Sequence, residues 1–253
     1  MNTVVLTNSS DIARYFVARI RARIGDFSVV VERKGPDIPS AGRGPWGRQR
    51  LTRLWRGVGD LRLRRLERRL ERGARRRHFP DFDHTIAGFS LPTLELNFRT
   101  AEAVEHLRQM QPDLFVVFGT TILPPEVFSL PTHGTINFHS ALLPYYRGTR
   151  VEFWQLYSED YEHTGATIHY VDEGADTGNI VAQEGTSHEA GDSFFDLRYK
   201  NILAGIRLIP LAVERAYAGC PGTPQGSVDQ KTFTGRMITR EKTRALYRRQ
   251  GLL

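Results

Sequence analysis

Thr3-Val-Val-Leu-Thr7, Asp11-Ile-Ala-Arg-Tyr15-Phe-Val-Ala-Arg-Ile20-Arg-Ala-Arg-Ile24 and Phe27-Ser-Val-Val-Val-Glu32 decide the fold of this chain. The first and third segments are short β-branched, apolar runs that read as buried strands. The middle one places Ile12, Tyr15, Phe16, Ala18 and Ile20 at helical spacing and stops at Gly25, with Ser9 or Ser10 before it as a cap. Strand, helix and strand within about thirty residues open a parallel α/β sheet.

The pattern resumes downstream. Leu94–Asn97, Asp113–Phe118, Thr135–Ser140, Ala166–Asp172 and Asn179–Gly185 read as strands. Thr100–Met110 reads as a helix capped by Thr100, and a further helix starts near Val151. Ile202, Ile206, Ile209 and Val213 mark a long helix over Ser193–Tyr217, which Pro210 is expected to kink. The expected class is α/β, with a mostly parallel sheet and flanking helices. A catalytic domain over 1–218 is expected, with an insertion at about 36–90 and an extension over 219–253.

The insertion carries the charge. Residues 34–46 read as a Pro- and Gly-rich loop, and 47–77 as helix broken in two near Gly57 and Gly59. Leu51, Trp55 and Val58 share one face, and Leu63, Leu66 and Leu70 another. Residues 41–80 hold fourteen arginines, no lysine and three acids, an excess of eleven positive charges on a chain of net charge +7. The rest of the chain is therefore net negative, and the basicity is local. A solvated helix with a docked apolar stripe, a peripheral contact with anionic membrane, and attraction of nucleic acid or a diphosphate are the readings it allows.

A single cysteine, Cys220, excludes an internal disulfide and a cysteine-based metal cluster. The N-terminus lacks a basic region before a long apolar run, and no stretch approaches about 18 consecutive apolar residues. A cytoplasmic protein without a metal is expected, and a homodimer is compatible with the sequence.

Two stretches carry chemistry: Asn137-Phe-His139-Ser-Ala-Leu-Leu-Pro144-Tyr-Tyr146-Arg147-Gly148 and Asp172-Glu173-Gly174-Ala-Asp176-Thr-Gly178. Asn137 and His139 are two apart, so on a strand they share a face while Ile136 and Phe138 turn into the core. Polar groups at the end of a parallel strand sit where open α/β sheets place ligands. Taken alone, Asp176 is a turn aspartate and His169 reads as a packing histidine facing the other way.

Together with Gly165-Ala-Thr-Ile-His169 and Phe118-Gly-Thr-Thr-Ile-Leu-Pro124-Pro125, these motifs resemble the formyltransferases that use 10-formyltetrahydrofolate. The close resemblance covers about 112–187. It implies the Rossmann-like sheet of that family and a catalytic set of Asn137, His139 and Asp176. It places the folate against Thr121, Ile122 and Leu123 and against Val171, Asp172, Glu173 and Gly174. An amine attacks the formyl carbon, Asn137 and protonated His139 donate to the resulting oxyanion, and Asp176 orients His139 or takes the amine's proton.

The acceptor is argued from the flanks. Only 68 residues follow Gly185, little room for the barrel domain of the methionyl-tRNA enzymes. Tyr146-Arg147-Gly148, Phe153-Trp154 and Thr234-Gly-Arg236-Met-Ile-Thr239 look most like the sugar N-formyltransferases, so a nucleotide-linked amino sugar is the expected acceptor. Tyr146 and Trp154 would stack on a base or sugar, and Arg147 or Arg150, beside Gly148, would pair with a diphosphate. Glycinamide ribonucleotide or methionyl-tRNA is the alternative, and a non-catalytic binding protein of the same fold is a third.

Overall fold

The computed structural model describes residues 1–33, 50–91, 94–227 and 231–253, with the side chains of 50–60 and of Lys231 excepted. Strand β1 (Thr3–Thr7), helix α1 (Asp11–Ile24) and β2 (Ser28–Glu32) form the expected opening unit. The Ser10 side chain accepts the Ala13 N–H and caps α1. Helices α2 (Arg50–His78) and α3 (Phe82–Ala87) follow, then β3 (Glu95–Leu96), α4 (Ala101–Gln109), β4 (Leu114–Phe118), α5 (Pro125–Phe128) and β5 (Thr135–His139). After these come β6 (Tyr146–Gly148), α6 (Val151–Ser158), β7 (Gly165–Tyr170), β8 (Ile180–Gly185), α7 (Phe194–Tyr217), β9 (Lys231–Phe233) and α8 (Arg240–Arg249).

Among the described residues, seven strands make one sheet in the order β3-β2-β1-β4-β5-β7-β8. The first five are mutually parallel, while β7 runs antiparallel to β5 and β8 antiparallel to β7. The expected mostly parallel α/β sheet is therefore present. Its two faces follow from strand alternation. Val4, Leu6, Phe115 and Val117 pack beneath α4 and α5 with Leu107 and Val127. Val5, Val116, Phe118 and Ile136 pack on the other face beneath α1 and α7. There Phe16 stacks on Phe118 at 4.0 Å, and Phe138 meets both. Gly205 lets α7 approach this layer, because a Cβ there would lie 2.3 Å from the Phe138 ring.

Helix α2 runs unbroken through Gly57 and Gly59, against the expected break. A helical glycine costs only about 1 kcal/mol relative to alanine. The second half of the helix is anchored: Leu63 and Ala74 are buried, and Leu66 and Leu70 pack on the same core. The stripe of Leu63, Leu66 and Leu70 is thus docked on the body. The loop over 34–46 and the face of Leu51, Trp55 and Val58 lie outside the described residues. Helix α7 also continues through Pro210.

The C-terminal segment is woven into the body. Strand β9 pairs in parallel with β6, so Tyr146-Arg147-Gly148 lies in a two-stranded ladder. Among the described residues, no helix is long and apolar enough to cross a membrane.

Candidate active site

The site forms at the C-terminal ends of β4 and β5, closed by the antiparallel β7 and the hairpin that follows it. Because Ile136 and Phe138 face α1 and α7, Asn137 and His139 turn to the opposite face. Asp176 comes from the turn between β7 and β8, where it adopts a left-handed backbone with φ 57°, a conformation that aspartate tolerates better than most residues. His139 and Asp176 meet directly, and Asn137 joins them through His169. His139 Nδ1 is 3.5 Å from Asp176 Oδ2, and the Gly148 N–H donates to that same oxygen at 2.7 Å.

His169 also joins this group. Antiparallel register sets it directly opposite Asn137. Its Nε2 is 3.1 Å from Asn137 Nδ2 and 3.5 Å from Asp176 Oδ1. Its Nδ1 donates to the Tyr170 carbonyl at 2.7 Å. The alternating pattern around His169 did not reveal this; the signal was its register opposite Asn137.

The electrostatics favour an ionised Asp176. Burial works against the charge, but the positive field of His139, the nearby His169 ring and the Gly148 N–H outweigh it. The carboxyl is held far below its usual range. His139 faces acceptors on both sides, since its Nε2 donates to the Tyr146 carbonyl at 2.7 Å while Nδ1 faces Asp176. Donation from His139 to an oxyanion would then require release of the Tyr146 carbonyl. One N–H of the Asn137 amide points to His169, and the second has no partner among the described residues.

The donor-side loops fit a flat, amphipathic ring in part. Ile122 is 67% exposed at the rim and Leu123 is buried beside it. Asp172, Glu173, Gly174 and Ala175 are exposed, and Asp172 closes its own turn by accepting from Gly174 N–H and the Thr177 hydroxyl. Thr121 is otherwise committed: its N–H and hydroxyl both donate to Glu32, an acid at the end of β2 that the sequence reading passed over. The Val171 N–H is likewise taken, by the Thr135 carbonyl. The Ile122 carbonyl accepts from Arg99 and the Gly174 N–H is taken by Asp172, so what this rim exposes is the Ile122 side chain and the remaining backbone of 172–175.

The acceptor-side aromatics differ from expectation. Tyr146 is buried, donates its phenol to Asp160 at 2.9 Å and stacks on Phe233. Trp154 is buried with Phe233 stacked at 4.9 Å, and Lys242 Nζ lies 4.7 Å from its ring centroid. Both are packing residues that join the C-terminal segment to the site wall, because β9 delivers Phe233 between them. The exposed aromatic is Tyr145, stacked on His163 at 3.8 Å. Arg147 is buried and donates to Gln225 Oε1 at 2.7 Å. Arg150 is exposed and close to Glu67 of α2, whose carboxyl is raised by burial against the opposing pull of Arg150.

Gly148 is constrained twice. Its φ is +94°, and a Cβ there would lie 2.0 Å from the Phe233 carbonyl oxygen. Gly148→Ala is expected to part β6 from β9 and move the N–H that holds Asp176. A positive φ alone costs a non-glycine residue about 1–2 kcal/mol. Thermal denaturation together with turnover would check this, and a variant with wild-type values for both would contradict it.

A second cluster lies away from the site. Candidate ligand atoms of His78, Asp192 and Asp196 lie within 4.8 Å of one another. Arg77 and His78 already hold Asp196, at 2.7 and 3.0 Å, and Lys200 holds Asp192 at 2.8 Å. The cluster ties α2 to the start of α7.

An amide, two imidazoles and an ionised carboxylate converge at the strand ends, a set able to donate to and take a proton from a ligand placed there. The formyl transferase family model matches residues 75–212, and the chain belongs to that family of formyl-transferring enzymes. Methionyl-tRNA formyltransferase of Fusobacterium nucleatum is 37% identical over 119 residues, covering 47% of this chain and 38% of that protein. The chain spans between about a third and a half of the length of the curated relatives it matches. A sugar N-formyltransferase from a Shewanella species superposes with a TM-score of 0.62 at 13% identity, covering 99% of this chain and 88% of that one. An N-formyltransferase from Helicobacter canadensis, in complex with folinic acid and dTDP-3-aminofucose, superposes with a TM-score of 0.55 at 19% identity, covering 94% and 73%. At these identities the structural likeness is one of fold.

Proposed function

We propose that this chain transfers a formyl group from 10-formyltetrahydrofolate to the primary amine of a nucleotide-linked amino sugar. The observation that carries the reading is the convergence of His139 and, through His169, Asn137 on a carboxylate of Asp176 held ionised by its neighbours. The unpartnered N–H of Asn137 is placed to donate to the formyl oxygen as it gains negative charge. Asp176 takes the proton that the attacking amine must lose, directly or through a water. His139, between the Tyr146 carbonyl and Asp176, supplies positive charge beside both. The Ile122 side chain and the remaining rim backbone of 172–175 would hold the folate ring, and the formyl group it carries is the chemistry that ring brings.

A sugar nucleotide is the ligand named for the Helicobacter neighbour, and Tyr145 and Arg150, which flank the two ends of β6, are exposed. A second reading, methionyl-tRNA, is favoured by one feature besides the sequence relatives. Arg62, Arg64, Arg65, Arg68, Arg69, Arg72 and Arg76 are exposed along α2, whose Glu67 reaches the Arg150 end of β6. Polyanions bind such faces through their phosphates. Because Leu63, Leu66 and Leu70 are docked on the body, contact with an anionic membrane here would be electrostatic, without insertion of that stripe.

The test is a panel of amines with 10-formyltetrahydrofolate: nucleotide-linked 3- and 4-amino sugars, glycinamide ribonucleotide and methionyl-tRNA. Turnover of an amino sugar is expected. Turnover of methionyl-tRNA alone would move the reading to the second acceptor, and no turnover of any amine would remove the enzymatic reading.

A further inference from the structure

The hairpin that carries Asp176 is gripped by a segment more than forty residues downstream. The Tyr170 phenol donates to the Cys220 carbonyl at 2.7 Å, and Asn179 Nδ2 donates to the Pro221 carbonyl at 2.9 Å. Ile180 and Thr223 exchange two backbone hydrogen bonds, each 2.8 Å. The segment then delivers Gln225 into the turn. Its Nε2 donates to the Gly178 carbonyl at 2.7 Å and to the Asp176 carbonyl at 3.0 Å. Its Oε1 accepts from Arg147 Nη2 at 2.7 Å.

The turn has little freedom to satisfy itself. Asp176 sits at φ 57°, and a Cβ on Gly178 would fall 1.9 Å from the Tyr170 carbonyl oxygen. A left-handed aspartate persists when its surroundings hold it there. The Asp176 side chain is held by Gly148 of β6, and its backbone by Gln225, which is itself held by Arg147 of β6. One primary amide thus links the acceptor-side strand to the backbone of the proton-accepting residue. Only a group with donors on one atom and an acceptor on the other can fill this position, which specifies Gln and excludes Glu.

We propose that Gln225 is a positioning residue that holds Asp176 in its working conformation and couples it to the acceptor-side strand through Arg147. Its consequence for turnover rests on the formyl-transfer reading above, but its effect on Asp176 does not. Gln225→Glu keeps the size and the bond to Arg147, yet turns an acceptor toward the carbonyls of Asp176 and Gly178. Gln225→Ala deletes all three bonds.

Two readouts separate this proposal from the function it rests on. The first is titration of the Asp176 carboxyl by carbon-detected NMR, with Asp176→Asn used for assignment. It needs no substrate. Its midpoint is expected to rise in both variants toward the ordinary aspartate value of about 3.9, as the carboxylate slips from Gly148, His139 and His169. The second is kinetic: kcat falls about ten- to a hundredfold, the scale of a misplacement near 1 Å, while KM for the formyl donor stays within about twofold. The acid limb of the pH–rate profile moves to higher pH. An Asp176 midpoint that rises in the Gln225 variants, when the wild-type protein formylates no amine, supports the clamp and sinks only the formyl-transfer reading. An unchanged midpoint in a folded Gln225→Glu protein overturns the clamp. If Gln225→Ala does not fold, Gln225→Glu decides.

Discussion

Asp176→Asn is expected to lower kcat by about 10²- to 10⁴-fold, the range of a lost general base, with KM for the formyl donor nearly unchanged. The amide keeps the shape and can still accept from the Gly148 N–H, which lies 2.7 Å from the carboxylate in the parent protein. It cannot take a proton from an attacking amine, and it removes the negative charge that faces both His139 and His169. The structure gives the pH dependence a direction. Because the Asp176 carboxyl is held below the usual range, the wild-type enzyme keeps its base as pH falls through 5 and 4. Steady-state kinetics over pH on both proteins would check this. A variant retaining more than a tenth of wild-type kcat would show that Asp176 is not the proton acceptor.

The second large effect is on stability and lies at Asp196. Its side chain is 1% exposed. One oxygen accepts from the Ser193 N–H at 2.9 Å and the Ser193 hydroxyl at 2.6 Å, closing the capping box that starts α7. The other accepts from Arg77 and His78 of α2. Asp196→Ala loses a cap worth about 1 kcal/mol and leaves buried donors of Ser193 and His78 unmatched, at about 1–3 kcal/mol. Arg77 is more than half exposed, so its ion pair adds little. A total of about 2–4 kcal/mol is expected, read as a drop in denaturation midpoint. Burial opposes the Asp196 charge, but His78, Ser193 and Arg77 together hold its carboxyl well below the usual range. A depressed native value means that the ionised group contributes fully above the unfolded value near 3.9 and loses that contribution as pH falls below it. The gap between wild type and Asp196→Ala should therefore be widest near neutrality and close in acid. A gap independent of pH would place the effect in packing alone.

How far these residues were legible differs from one to the next. Asn137 and His139 were readable because strand alternation is local: two residues apart means one face. Asp176 was readable as part of an ordered set of motifs. His169 was not, because its role depends on the antiparallel register of β7 on β5, and register is a property of two strands. Gln225 and Phe233 carried no local signal. They act through contacts with residues 176–178 and 146–154, many positions earlier in the chain. The burial of Tyr146 and Trp154 was equally hidden, since an aromatic side chain suits both a core and a ligand wall, and only the return of β9 chose between them.

By itself, the sequence determined the α/β class, the helix caps and the polar face of β5, all of which follow from periodicity, turn chemistry and short-range order, while Asp176 was singled out only by the resemblance of its motif to those of the formyltransferases. Only the tertiary structure decided which groups touch Asp176, which arginines stay exposed once the leucine stripe of α2 is docked, and which aromatics are buried. The reason is physical: alternation and helical period set the direction of a side chain locally, whereas its partners are set by which distant segment packs against it.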